Sequence, residues 1–263
     1  LEEGENEVAI VAEDEAGNQA TRTLKVTRKV PSVEQVGSRF TLAVLPFQIK
    51  QESDVSETLD DIFQQKLLDL ERFNLVSRDN EAYEAALREL KLSQTQLVNK
   101  SAAVKVGRIV QAEGIVSGKA RETDDSLEIY ARLIDTETSQ ILVGHDVYGT
   151  EKTLDSIDFL MNGLALKFQR TFPLLEGLVI KISGDDVTLD LGREHQVKRQ
   201  MRFIIFRDGQ PLKHPLSGKV MAGEPLELGL LRITKVLKES LVGKFSRLKA
   251  DLALKQLDKA IAK

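Results

Sequence analysis

The stretch Thr41-Leu-Ala-Val-Leu-Pro-Phe47, taken with Arg72-Phe-Asn-Leu-Val-Ser-Arg78 and Ala131-Arg-Leu-Ile-Asp-Thr-Glu-Thr-Ser-Gln-Ile-Leu142, decides the fold of this chain. Each is an apolar strand pattern bounded by turn chemistry. Working outward, residues 40–47 read as a buried strand stopped by Pro46. Residues 55–70 follow as an amphipathic helix with Leu59, Ile62, Phe63, Leu67 and Leu70 on one face. A strand over 73–77 leads to Asp79, an N-cap for a helix over 81–91, and Ser93 or Thr95 caps a third helix over 96–110. Strands over 114–120, 126–134 and 140–148 are joined by Thr123-Asp-Asp and by Asp135-Thr-Glu-Thr-Ser139. A helix over 154–172 then places Leu154, Ile157, Leu160, Met161, Leu164 and Phe168 on one stripe. The order β-α-β-α-α-β-β-β-α predicts an α+β or α/β layer domain with a mixed sheet over residues 39–172.

The flanks read differently. Residues 6–29 alternate as a β-hairpin, with Val8, Ile10 and Ala12 before a turn at Asp14-Glu-Ala-Gly-Asn18 and Thr23-Leu-Lys-Val-Thr27 after it. Residues 31–38, with Pro31 and Gly37, read as a linker. After Pro173, turn signals every eight to twelve or so residues predict a small β-barrel over 173–246. Its strands are expected over 177–184, 187–192, 201–206, 216–221, 228–236 and 240–244. Leu248, Leu252, Leu254, Leu257 and Ile261 then predict a terminal helix within 247–263.

Composition narrows the function. With 263 residues, a net charge of −4 and no cysteine, the chain lacks the basic balance of a nucleic-acid binder and every thiolate site or disulfide. Aromatics are 5% and Trp is absent, so a sugar cleft or base-stacking platform has little to be built from. Lys or Glu interrupts every apolar run well short of the roughly 18 residues of a membrane span. The chain opens on Leu1-Glu-Glu without a Met, so a signal or lipid anchor is expected outside it.

Four motifs carry a resemblance: the strand ending Leu45-Pro-Phe47, the Arg72-Phe-Asn-Leu-Val-Ser-Arg78 strand, Ala112-Glu-Gly-Ile-Val-Ser-Gly118, and the hairpin from Ala131. Together they resemble the amino-terminal α/β domain of TolB-type proteins and the related domain of the curli secretion channel (CsgG) family, over about half the chain. Ser139 stands where that family more often has Gly. The series Gly177-x-Val179, Val187-x-Leu189-x-Leu-Gly192, Val197 and Phe203-x-Ile-Phe-Arg207 resembles the SH3-like barrel of the flagellar assembly (FlgT) family. It departs at Arg199-Gln200, where Gly is usual. Residues 3–27 resemble the last strands of a bacterial immunoglobulin-like repeat. The resemblance implies a non-catalytic module of the periplasm or outer membrane, with protein partners in flagellar, secretion or peptidoglycan machinery. Its alternative is a lipoprotein-type regulator of a peptidoglycan synthase. The inserted pore hairpins of the curli channel need strands of about 9–11 alternating residues and aromatic girdles. The short polar loops here resemble the soluble scaffold of that family instead.

His145, His195 and His214 fall on different elements, without metal spacing. Asp185-Asp186 with Asp190 reads as hairpin-turn chemistry, and Glu13-Asp14-Glu15 with Asn18 as a solvated tip. Asp60-Asp61 is expected on the exposed face of a helix and Asp124-Asp125 in a turn. No phosphate-binding glycine motif is present, and Gly114-Ile-Val-Ser-Gly118 has its Ser one place too late for a nucleophile elbow. No catalytic, cofactor-binding or metal-ligating residue is therefore expected, no cofactor is implied, and the sequence nominates no partner contact. An enzyme with an unrecognised site stays open as a third reading.

Overall fold

The computed structural model describes residues 4–13, 17, 19–28, 32–49, 59–77, 85, 100–213, 218, 220–249 and 252–263. The expected Asp79 cap, nearly all of the helix over 81–91, His214 and the start of the helix over 96–110 lie outside them.

The layer domain forms where the three motifs place it. Strand β3 (Thr41–Val44) pairs in parallel with β5 (Asn74–Leu75) and β6 (Gly114–Glu122). Beyond Pro46, β4 (Gln48–Ile49) also joins β6 in parallel. The antiparallel run then continues through β7 (Leu127–Asp135) and β8 (Ile141–Gly149), giving the sheet order β5-β3-β6-β7-β8. Strand alternation sorts its residues to two faces. Leu42, Val44, Val116, Ile129 and Leu133 meet Phe63 and Leu67 of α1 (Leu59–Asp69), and Met161, Leu164 and Phe168 of α3 (Leu154–Thr171). Ala43, Leu45, Ile115 and Ile134 face the other way, onto Ala103, Val104 and Val106 of α2 (Lys100–Ile109).

The glycines of the Gly114 to Gly118 motif are packing glycines. A Cβ at Gly118 would lie 2.6 Å from the Phe47 ring, and one at Gly114 would lie 2.8 Å from Leu42 and Phe40 side-chain atoms. Helix α3 starts at Thr153, whose side chain accepts from Ser156 N, and its stripe is buried as predicted except at Leu154. That residue is 66% exposed in the first turn, before the helix reaches the core.

The second part is a closed six-stranded barrel, in the order β10-β13-β12-β11-β14-β9. Its strands are β9 (Glu176–Ser183), β10 (Asp186–Leu189), β11 (Arg202–Lys213), β12 (Val220–Val236), β13 (Leu241–Arg247) and β14 (Lys259–Ala262). Two expectations are corrected here. The separate strands over 216–221 and 228–236 are one strand, β12 from Val220, because β11 runs on to Lys213 and keeps pairing with it through register shifts. The terminal helix within 247–263 is replaced by β14, which pairs with both β11 and β9. Closing the barrel puts Ala260 and Ala262 into the interior and Ile261 outside, against Val33, Ile204 and Phe206. That burial outweighs the helical preference of an Ala- and Lys-rich stretch. Leu248 and Leu257, assigned to the helix stripe, are exposed.

The hairpin near the start is present, with β1 (Gly4–Glu13) antiparallel to β2 (Gln19–Arg28). It forms a sheet of its own on which Ile10, Val11 and Leu24 stay exposed. The stretch read as a linker folds into two 3-10 turns, Ser32–Glu34 and Val36–Ser38, and buries Val33 on the outer wall of the barrel. No helix among the described residues is long and apolar enough to cross a membrane.

Candidate functional site

The barrel and the layer domain share one apolar core, which runs from Phe63 and Phe168 through Phe172 to Val179, Phe203 and Phe245. What fixes their mutual position is polar. Arg202, at the start of β11, is 5% exposed. Its Nη1 donates to Glu113 Oε1 at 2.9 Å, and its Nη2 donates to Asp135 Oδ2 at 2.8 Å and to Glu137 Oε2 at 3.3 Å. The guanidinium also sits 5.3 Å over the Phe40 ring. Lys263 Nζ donates to the same Glu113 oxygen at 3.0 Å, and Arg232 pairs with Glu137. The acceptors are themselves held. Asp135 Oδ1 accepts from Glu137 N and Thr138 N, and Glu113 Oε2 accepts from Thr41 N. The turn that Asp135 organises is the β7–β8 hairpin of the quoted motif, with Ser139 left-handed at φ 57°.

A second cation in the junction is Arg72, which like Arg202 is bonded to the backbone of Lys263. Arg72 Nε donates to Phe172 O at 2.5 Å, and its Nη2 donates to Lys263 O at 3.1 Å, so one side chain ties β5's approach, the end of α3 and the end of β14. Its Nη1 is buried with no acceptor among the described residues. Burial, and next the Arg39 charge, hold the Arg72 guanidinium down to about 10. Arg39 is also buried, bonded to the Val33 and Glu34 carbonyls.

Beside this junction lie two adjoining hollows that share Arg170 and Gln196. One, of about 480 Å³, is lined by Leu70, Pro173, Leu174 and Leu175 together with Glu71, Arg72, Glu194 and His195. The other, of about 560 Å³, is lined by His145, Lys167, Arg170, Thr171, Arg193, Val197 and Lys198, with no carboxylate among its described lining residues. Its cations come from both parts: Lys167 and Arg170 from the last turns of α3, Arg193 and Lys198 from the barrel segment before β11.

His145 is half-buried on β8. Its Nε2 is 2.7 Å from Thr171 Oγ1, and its ring meets Phe168 edge-on at 5.3 Å. Burial, then the Lys167 and Lys198 charges, push its pKa below the ordinary 6.5. Between that lowered value and 6.5 the unfolded chain holds more protons than the folded one. The His145 contribution to stability is therefore intact above pH 6.5 and is lost as pH falls through this window. Urea midpoints measured from pH 7.5 down to 5 are expected to show this slope, and His145→Gln is expected to flatten it; identical profiles for the two proteins would refute the assignment.

The other residues singled out in the sequence take structural parts. His195 Nδ1 accepts from Gly192 N at 3.2 Å, closing the turn Arg193–His195. Asp186 pairs with Lys244, and Asp190 Oδ1 accepts from Leu178 N. Glu13 accepts from Gln19, while Asp14, Glu15 and Asn18 lie outside the described residues. Asp124 and Asp125 are exposed in their turn, as expected. Asp60 corrects an expectation: it is 6% exposed, in the first turn of α1, where unpaired helix N–H groups and the helix dipole favour a carboxylate. Ser117 is buried within β6. Among the described residues no group of three or more His, Asp or Glu is placed to hold a metal. Sequence reading gave Arg202 and Arg72 no role. Met201-Arg-Phe-Ile-Ile-Phe206 says only that a guanidinium inside an apolar strand needs acceptors, and nothing local says which.

No protein-family model matches the chain, and no curated protein does. Solved structures align over parts of it. The LpoB C-terminal domain from Salmonella enterica aligns at 18% identity, TM-score 0.37, over 46% of this chain and 88% of that one. Lipoprotein GNA1162 from Neisseria meningitidis aligns at 11% identity, TM-score 0.39, over 50% and 98%. TolB from Acinetobacter baumannii aligns at 10% identity, TM-score 0.32, over 82% of this chain and 62% of that one.

Proposed function

We propose that this chain is a non-catalytic interaction and assembly module of the bacterial cell envelope, periplasmic or attached to the outer membrane, that presents its two parts to a protein partner as one body. The observation that carries the reading is the junction. Arg202, bonded to Glu113 and Asp135, and Arg72, bonded to the Phe172 and Lys263 carbonyls, hold barrel and layer domain in one arrangement. Inter-domain interfaces within a chain are more often loosely polar and mobile. A fixed junction flanked by open hollows suits recognition of a partner that touches both sides. The two described histidines are engaged in positioning contacts, His145 with Thr171 and His195 with Gly192, which favours this reading over an enzyme that uses them as bases.

The partial overlays decide only the order in which partners are tested: peptidoglycan synthases first, for the lipoprotein-type regulator, and flagellar or secretion components second, for an assembly scaffold. The test is co-purification from a crosslinked native envelope fraction, comparing the full-length protein with a version lacking residues 40–172. Recovery of synthases that depends on those residues supports the regulator, and recovery of flagellar or secretion components supports the scaffold. Recovery of small molecules alone would overturn both.

A further inference from the structure

The basic hollow has more positive charge than its local architecture explains. Lys167 and Arg170 lie near the carboxyl end of α3, where cations offset the helix dipole. Arg193 and Lys198 are not on that helix. They come from the barrel, yet they line the same hollow of about 560 Å³, to whose wall the described residues contribute no carboxylate. Among the described residues, the side chains of Arg170, Arg193 and Lys198 form no ion pair. Like charges brought together from two parts of a fold repel unless something negative joins them.

The neighbouring hollow has a different chemistry. Pro173, Leu174 and Leu175 form its apolar wall, with Leu174 47% exposed, and Glu71 and Glu194 also line it, so a ligand's negative charge belongs in the basic hollow and not here. Arg72 lines it too, 3% exposed, with a buried Nη1 that has no acceptor among the described residues. A small inorganic anion would use only the basic end. A ligand that matches both ends carries negative charge beside an aliphatic group, and an extended peptide spaces such side chains along the groove. We infer that the two hollows form one docking groove for an acidic protein segment that also presents an aliphatic side chain. This rests on the interaction reading above and names the chemistry of its partner.

The groove is tested on the isotope-labelled full chain with a fluorescent eight-residue peptide of alternating Glu and Leu. The controls are the Gln-Leu and Glu-Ser peptides, orthophosphate, and phosphatidylglycerol vesicles. The Glu-Leu peptide is expected to shift the amide resonances of His145, Lys167, Leu174 and residues 193–198, more strongly than either control peptide. The double variant Arg170→Glu/Lys198→Glu, at exposed positions, is expected to weaken it about tenfold or more, and raising the salt should weaken the native complex. Lys181→Glu, an exposed change on β9, should leave it unaltered. Shifts outside the groove, equal binding by the double variant, or shifts caused by phosphate or vesicles but not by the peptide would each overturn the proposal. In the envelope experiment, a protein partner that the double variant keeps would remove the groove and leave the interaction reading standing. No protein partner for the native chain would remove that reading itself.

Discussion

Replacing Arg202 with alanine is expected to lower stability by about 3–5 kcal/mol, the range for breaking a buried ion pair from one side. The loss comes from what remains. Asp135, with a side chain 2% exposed, and Glu113, 20% exposed, would keep their charges in the junction without the guanidinium. The measurement is the urea midpoint, together with the slope of the transition. Arg202→Met is expected to cost a similar amount, since it also takes the guanidinium from Asp135 and leaves Glu113 with Lys263 alone. Combining Arg202→Met with Glu113→Gln and Asp135→Asn should recover much of the loss, because no uncompensated charge is then buried. Asn at 135 keeps an acceptor for the amides of Glu137 and Thr138, so the hairpin is spared. A cost below about 1 kcal/mol for Arg202→Ala would mean the pair behaves like a surface one and would sink the account of the junction.

The second large effect lies inside the layer domain. Phe63 is fully buried, and its ring stands 5.7 Å from Phe47 and 5.7 Å from Phe168. Phe63→Ala is expected to cost about 3–5 kcal/mol, from the lost transfer of the ring and the cavity left between sheet and helices. Phe63→Leu should cost clearly less, since most of the volume is kept. Thermal unfolding followed by far-ultraviolet circular dichroism reads both. The ladder Phe47, Phe63, Phe168, His145 is continuous, with the His145 ring 5.3 Å from Phe168. The alanine variant should therefore also perturb the His145 resonance, and an unmoved resonance would show that the packing is not transmitted to the groove.

Much of the layer domain was legible because its signals are local. Thr41 to Phe47 is a short continuous apolar run stopped by Pro46, the stripe on α3 repeats at helical spacing, and Asp135 to Ser139 carries its own turn chemistry. Ser139 and Gln200, singled out in the sequence as positions where the resembled patterns more often have Gly, are both left-handed, at φ 57° and 72°. The end of the chain was misread for the opposite reason. Nothing within residues 247–263 reports that β9 and β11 leave a gap one strand wide, so the spacing of Leu252, Leu254 and Ile261 was assigned to a helix. The strands expected over 216–221 and 228–236 likewise left residues 222–227 between them, although β12 continues through that stretch while paired with β11. The junction was invisible for a related reason. Arg202 and its acceptors Glu113 and Asp135 are 89 and 67 residues apart, and no local pattern links them.

The placement of β14 bears on the order in which the molecule is finished. Synthesis runs from the amino end toward residue 263, so the sheet of the layer domain is complete well before Lys259 to Ala262 leave the ribosome. Until then the barrel is a cylinder with one stave missing, and β9 and β11 offer free edges that a neighbouring nascent chain can pair with. The same late segment brings Lys263 to Arg72 and Glu113. A ribosome that stopped short of it would release a product open at the barrel and unclasped at the junction. Message truncations before codon 259 should therefore fill inclusion bodies, whereas the complete barrel has no open seam for a stray strand to enter.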